Sequence, residues 1–312
     1  MIPDGRTPVV VITGFLGSGK TTLVNQLVKK QSDSLVIVNE FGEVPVDHVL
    51  IESSVEKPIA LPNGCLCCHL RGDLEETLIG AAMRRRRGDI AGFDRVIVET
   101  SGLADPGPVA QTLYADAALA RDFKLGPIVT VVDAADLQSR KLSSEVARAQ
   151  IVAADVVVLS KVDRAVDTTG AEAEVRELNA GVPCLRAQFG DVDPQSLLQV
   201  TPGRHDGPVP RPVHNSAIRS FALRFDQPVR RELLQRFLST LVDLRGADLL
   251  RVKGFVPVED GLMAVQGVRH VFDRLRRASP SQAVGEPALV FITNGVEQAE
   301  VRALWLAMKG LS

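Results

Sequence analysis

No apolar run in this chain approaches the roughly 18 residues that a membrane-spanning helix needs. The opening residues, MIPDGRTPVVVITGFLG, carry no basic segment leading into an apolar stretch, so nothing there reads as a secretory leader. The expectation is a soluble, cytoplasmic protein with no membrane partner. Charge of one sign is also lacking. Lys and Arg number 36 against 38 Asp and Glu, a formal net charge of −2, which gives no argument for a nucleic-acid partner. Cysteine is scarce, with four residues. Three of them fall together in Cys65-Leu-Cys67-Cys68, inside LPNGCLCCHLRGDL. In a reducing compartment such clustering points to metal or catalysis rather than to a disulfide, and soft thiolates select zinc, copper(I) or cobalt. The fourth, Cys184 in GVPCLRAQ, reads as a small buried hydrophobe.

What is present is enough for two domains: 312 residues, 45% of them hydrophobic. Short Val- and Ile-rich runs at Val9–Thr13, Leu35–Val38, Arg95–Val98, Ile128–Val132 and Val156–Leu159 predict strands. Between them, Lys20–Lys30, Leu74–Arg87 and Thr169–Asn179 have helical spacing. Strands apolar on both faces, alternating with helices, predict an α/β domain with a mainly parallel sheet over residues 1–200. The stretch 201–216, rich in Pro, Gly and His, reads as a linker. Residues 217–312 predict a smaller α+β domain. Its strands fall near Ile218–Phe225, which alternates like a half-buried strand, Leu249–Phe255, Gly261–Val268 and Ala288–Ile292, and its helices near Leu233–Leu241 and Glu297–Lys309. Arg84–Arg87 reads as a solvated helix end, where cations suit the dipole.

Gly14-Phe-Leu-Gly17-Ser18-Gly19-Lys20-Thr21-Thr22 fits G-x4-G-K-[ST] between a predicted strand and a predicted helix. Glycines let backbone N–H groups curl around an anion, and the helix points its positive end at the same phosphates. Lys20 is expected on the β- and γ-phosphates and the Thr21 hydroxyl on Mg²⁺. Glu99, at a strand end, is placed to hold the Mg²⁺ shell. Gly102, three residues on, is placed to offer its N–H to the terminal phosphate. In Ser160-Lys161-Val-Asp163 the Asp163 carboxylate can accept two hydrogen bonds from a guanine edge while the Lys161 stem packs on the ring, which favours GTP over ATP. Asn39-Glu40-Phe-Gly42 follows the second strand, where a switch is expected. Asp47 is a candidate for the Mg²⁺ shell or for placing the attacking water.

With these residues assembled, the chain closely resembles the CobW family of metal-trafficking P-loop GTPases. The resemblance rests on GFLGSGKTT, NEFGEVPVD (Asn39 to Asp47), GCLCC (Gly64 to Cys68) and ETSGLADP (Glu99 to Pro106), in the family's order. SKVD stands where the family's guanine reader stands, and RVKGFV with VQGVRH resembles the second domain. Two departures stand out: Ser160 replaces the usual Asn, weakening one base contact, and Pro45 replaces a usual Gly. The resemblance implies a GTPase that binds zinc or cobalt through Cys65, Cys67 and Cys68 and delivers it to a client metalloprotein. Glu40, His48, His69 or water are candidates to complete the sphere, and an incomplete thiolate set suits a site that must release its cargo. A homodimer stays open. The main rival is a GTP-dependent regulatory switch with a structural zinc and no delivery. A small-molecule P-loop kinase would need a substrate pocket for which the sequence has no signature.

Overall fold

The computed structural model describes residues 5–31, 33–38, 59–60, 69–140, 144–165, 167–198, 218–278 and 286–310. The chain divides into two compact units, Met1–Glu174 with Pro183–Val200, and Val175–Val182 with Thr201–Ser312. Cys65, Cys67, Cys68, Glu40, Asp47 and the 201–216 stretch lie outside the described residues. Among the described residues no helix is long and apolar enough to cross a membrane.

The strands of the first unit are β1 (Thr7–Thr13), β2 (Ser34–Val38), β3 (Ile59–Ala60), β4 (Arg95–Glu99), β5 (Phe123–Asp133), β6 (Val156–Ser160) and β7 (Cys184–Arg186). Its helices are α1 (Lys20–Lys30), α2 (His69–Arg87), α3 (Gly107–Ala115), α4 (Leu119–Asp122), α5 (Ala134–Arg140), α6 (Glu145–Ala153), α7 (Thr168–Leu178) and α8 (Pro194–Leu198). The strand order is β3-β2-β4-β1-β5-β6-β7, and every pairing is parallel. The Val and Ile runs follow from this arrangement. Val10 and Ile12 pack with Leu23, Val24, Leu27 and Val28 of α1, while Val9 and Val11 on the opposite face are equally buried. Burying each such side chain contributes roughly 1.5–3 kcal/mol.

Register sets where a site can form. Ile12 and Val38 both pair with Glu99, Val38 with Ala60, Asp133 with Ser160 and Leu159 with Arg186. The strand ends that bear the polar motifs therefore leave the sheet at one edge, the carboxyl edge, where open α/β sheets bind ligands.

The second unit contains β8 (Ile218–Arg224), α9 (Arg231–Arg245), β9 (Leu249–Val258), β10 (Gly261–Val268), β11 (Val271–Phe272), β12 (Arg276–Arg277), β13 (Ala288–Asn294) and α10 (Gln298–Gly310). Its sheet runs β11-β10-β9-β13-β8, with β12 pairing β10, and is antiparallel throughout. Phe237 of α9 and Trp305 of α10 meet edge-to-face at 5.1 Å in a core shared with Val252, Val256, Leu289 and Phe291.

Three expectations from the sequence are revised. Cys184 is half-buried on the edge strand β7, not fully buried, because no further strand covers that side among the described residues. The Arg84–Arg87 end is not merely solvated. Arg85 donates to Thr7 Oγ1 at 2.9 Å and Phe93 O at 3.2 Å and lies over the Phe93 ring, while Arg86 pairs with Asp122. Along β8, burial does not alternate: Phe221, Ala222 and Leu223 are all buried.

Candidate functional site

The turn between β1 and α1 is built for an anion. Gly19, the N-cap of α1, has φ 96°. No side chain caps the first turn, and no acidic residue lies in it, so its N–H groups face an anion without competition. Gly14 is required sterically: at φ 145°, a Cβ there would stand 2.2 Å from Val131 O. Lys20 is buried, and its Nζ donates to Gly14 O at 3.0 Å and Phe15 O at 3.2 Å. The ammonium is thus held at the cradle by two carbonyls of the loop it belongs to.

The Thr21 hydroxyl donates to Glu99 Oε1 at 2.7 Å, joining α1 to the end of β4. A hydroxyl beside a buried carboxylate is a hard oxygen set, which fits Mg²⁺. The turn after Glu99 is fixed by Thr100, whose N–H donates to Ile12 O at 2.9 Å and whose Oγ1 donates to Thr13 Oγ1 at 2.9 Å. It presses Gly102 onto the cradle. A Cβ on Gly102 would fall 2.8 Å from both the N and Cα of Leu16. The sequence-predicted Gly14, Gly17, Ser18, Gly19, Lys20, Thr21, Thr22, Glu99 and Gly102 therefore come together at the carboxyl edge.

Ser160 plays a part the sequence did not reveal. Its Oγ lies at 2.6 Å from Ser18 O and 3.3 Å from Val132 O, donating toward these carbonyls, and the residue is buried. The hydroxyl ties the SKVD loop to the phosphate loop instead of reaching outward. Lys161 takes a left-handed backbone, φ 53°, and its Nζ donates to Asp133 Oδ2 at 2.7 Å. Asp133 Oδ1 meanwhile accepts from the backbone of Ala135 and Asp136. Asp163 follows in the same turn, 4.0 Å from Arg164 Nε.

Sequence reasoning missed two residues. Asp133 ends an apolar strand at the same edge as Ser160, and aligning the strand ends would have found it. Gln150, in the middle of α6, gives no such signal. It is fully buried, and its Nε2 donates to Gly102 O at 3.2 Å and Ala104 O at 2.9 Å, holding the turn that presses on the cradle.

Residues 8–186 match the CobW/HypB/UreG nucleotide-binding domain, and residues 218–309 match the cobalamin synthesis protein cobW C-terminal domain. The chain belongs to the CobW family. Membership makes the first unit a P-loop GTPase domain. Among relatives, the zinc chaperone YjiA of Escherichia coli K12 is 31% identical over 96% of this chain and 98% of its own. The zinc chaperone CobW of Pseudomonas aeruginosa is 29% identical over 95% of this chain and 90% of its own. The crystal structure of Zn(II)-bound YjiA GTPase from E. coli superposes with a TM-score of 0.69 at 23% identity, covering 97% of this chain and 99% of that one, and shares the fold. Among the described residues no group of three or more His, Cys, Asp or Glu is placed to hold a metal.

Proposed function

We propose that this GTPase is a metallochaperone that takes up a transition metal through Cys65, Cys67 and Cys68 and delivers it to a client metalloprotein. The observation that carries the reading is the register at the carboxyl edge. Ala60 pairs with Val38 and Val38 with Glu99, so the chain enters the cysteine stretch two strands, about 10 Å, from the Mg²⁺ end. It rejoins the described fold at His69, the start of α2. In sequence, Cys65, Cys67 and Cys68 fall between these two points, and the relatives named zinc chaperones support reading them as the cargo ligands. Relatives named zinc chaperones favour zinc, and thiolate chemistry also accommodates cobalt. Glu40 is the proposed further ligand.

The chain's own residues divide the hydrolytic work. Lys20 Nζ exchanges the Gly14 and Phe15 carbonyls for phosphate oxygens, an exchange of neutral for charged acceptors that strengthens each hydrogen bond. Thr21 and Glu99 would hold Mg²⁺, which would supply charge neutralisation to the phosphates. The Gly102 N–H, braced by Gln150, meets the terminal phosphate, and Asp47 places the attacking water. Asp163 reads guanine. Ordering of the turns around the γ-phosphate assembles the thiolate site, and hydrolysis relaxes it for release in the cytoplasm to the client.

The test is a cobalt(II) titration followed by thiolate charge-transfer absorption, with a non-hydrolysable GTP analogue, with GDP and without nucleotide. Affinity is expected to be tighter with the GTP analogue by about 1–3 kcal/mol and lost in the Cys65/Cys67/Cys68→Ala variant. Equal affinity in all three states would leave the cysteines as a structural zinc site and the protein as a switch that delivers nothing.

A further inference from the structure

Asp133 is the last residue of β5 and pairs in register with Ser160, the last residue of β6. Its carboxylate serves two elements at once. Oδ1 accepts from the backbone of Ala135 at 3.0 Å and of Asp136 at 3.1 Å, capping the start of α5. Oδ2 accepts from Lys161 Nζ at 2.7 Å. β5 lies between β1 and β6 in the sheet, so an acid held at both oxygens there is a rigid anchor, and Lys161 is the side chain that it anchors.

Lys161 pays for its position. Its backbone is left-handed, φ 53°, a conformation that a long side chain keeps only where the surroundings over-determine it. Three contacts do so. Ser160, just before it, is tied to Ser18 O. The Lys161 carbonyl accepts from Arg164 N at 2.9 Å, closing the turn that carries Asp163. The ammonium rests on Asp133. With the backbone fixed at one end and the ammonium at the other, the four-carbon stem between them is confined to one course. The side chain keeps 34% of its surface exposed, so the stem is held without being hidden. An unanchored lysine has many rotamers, and a ligand that packs on its stem must freeze them.

We propose that Asp133 is a positioning residue for nucleotide recognition: it fixes the Lys161 stem, before the nucleotide arrives, in the orientation on which the base packs. Asp133 acts through Lys161, and its contribution is an ordering cost removed in advance. The inference rests on the reading of SKVD as the base-reading loop and is independent of metal delivery.

The experiment uses the full chain, free of transition metal, and compares GDP with inorganic tripolyphosphate, which has no base. Asp133→Asn is selective. The amide oxygen still caps α5, while the amide N–H groups would face the ammonium, donor against donor. GDP affinity is expected to fall roughly 3- to 10-fold and tripolyphosphate affinity to stay level. Lys161→Met keeps an apolar stem without the ammonium. Adding Asp133→Asn to that variant is expected to cost nothing further, because two residues that act as one unit are not additive. A full Asp133→Asn loss in the Lys161→Met background would overturn the proposal, by showing that Asp133 acts without Lys161. So would unchanged GDP affinity in Asp133→Asn alone, or an equal loss of GDP and tripolyphosphate. The underlying reading is tested apart from these, by the ratio of GDP to ADP affinity in Asp163→Asn. An unmoved ratio would remove the base-reading loop itself, and the proposal with it.

Discussion

The two sheets of this molecule solve burial differently, and the difference explains where chemistry gathers. In the first unit β6 is buried at all five positions and β1 at six of seven. With both faces covered, the exposed polar chemistry of a parallel sheet collects where its strands end. The antiparallel sheet of the second unit alternates along β10, with Met263 and Val265 in the core and Leu262, Ala264 and Gln266 half-buried. Its neighbouring strands run in opposite directions, so their ends fall alternately on both edges and no row of carboxyl ends gathers at one. The first sheet thus concentrates Lys20, Glu99, Gly102 and Ser160. The second is dominated by an apolar core with α9 and α10.

The comparison breaks most readily in that core. Phe237→Ala removes a fully buried ring from between the helices and the sheet and is expected to cost about 3–5 kcal/mol. Trp305, the only Trp in the chain, reports it by fluorescence during denaturant unfolding. Tripolyphosphate binding at the cradle should survive in conditions where the unit stays folded. A matching loss of phosphate affinity would mean that the two regions do not divide the work as described.

Lys20→Ala is the reciprocal test. Removing the ammonium from the cradle should lower GTP turnover by about 10²–10³-fold, as loss of one aimed electrostatic donor does, with the Trp305 unfolding curve unmoved. Retained turnover would remove the phosphate-cradle reading.

Gln150→Leu sharpens the comparison within the first unit. It deletes two buried hydrogen bonds to the Gly102 turn, a loss of about 1–3 kcal/mol. The expected signature is a turnover reduced about tenfold with GDP affinity unchanged. A lowered melting temperature with normal turnover would make Gln150 structural only.

The smallest effect lies on the surface of the second unit. Asp260 accepts from Arg277 and lies 3.4 Å from Arg231. The hydrogen bond from Arg277, helped by the charges of Arg277 and Arg231, holds its carboxyl below the ordinary value of 3.8. A depressed carboxylate stabilises the fold above its unfolded pKa, and that contribution is lost as pH falls through the folded value. Acid unfolding followed at Trp305 should therefore steepen below about pH 4, and Asp260→Asn should flatten that limb slightly. An identical acid limb in the variant would show the exposed pair to be energetically silent.

Read as sequence, the chain determined its own local order: the glycine spacing of the cradle, the helix Lys20–Lys30 and the continuous apolar strands of the first unit. These depend on residues a few positions apart, whose periods survive in one dimension. The Arg and Lys of RVKGFV illustrate the limit. Arg251 and Lys253 alternate with Val252 on β9 and would be placed in solvent by pattern alone, yet both are buried. The contacts that turn motifs into a site were decided only by tertiary structure. The Ser160 hydroxyl reaches Ser18 across 142 residues, Thr21 meets Glu99 across 78, Gln150 meets Gly102 across 48, and Lys161 meets Asp133 across 28. Such pairs have no spacing to read, because strand order in a parallel sheet is set by crossovers, and neighbours at the carboxyl edge are brought together by register rather than by sequence distance.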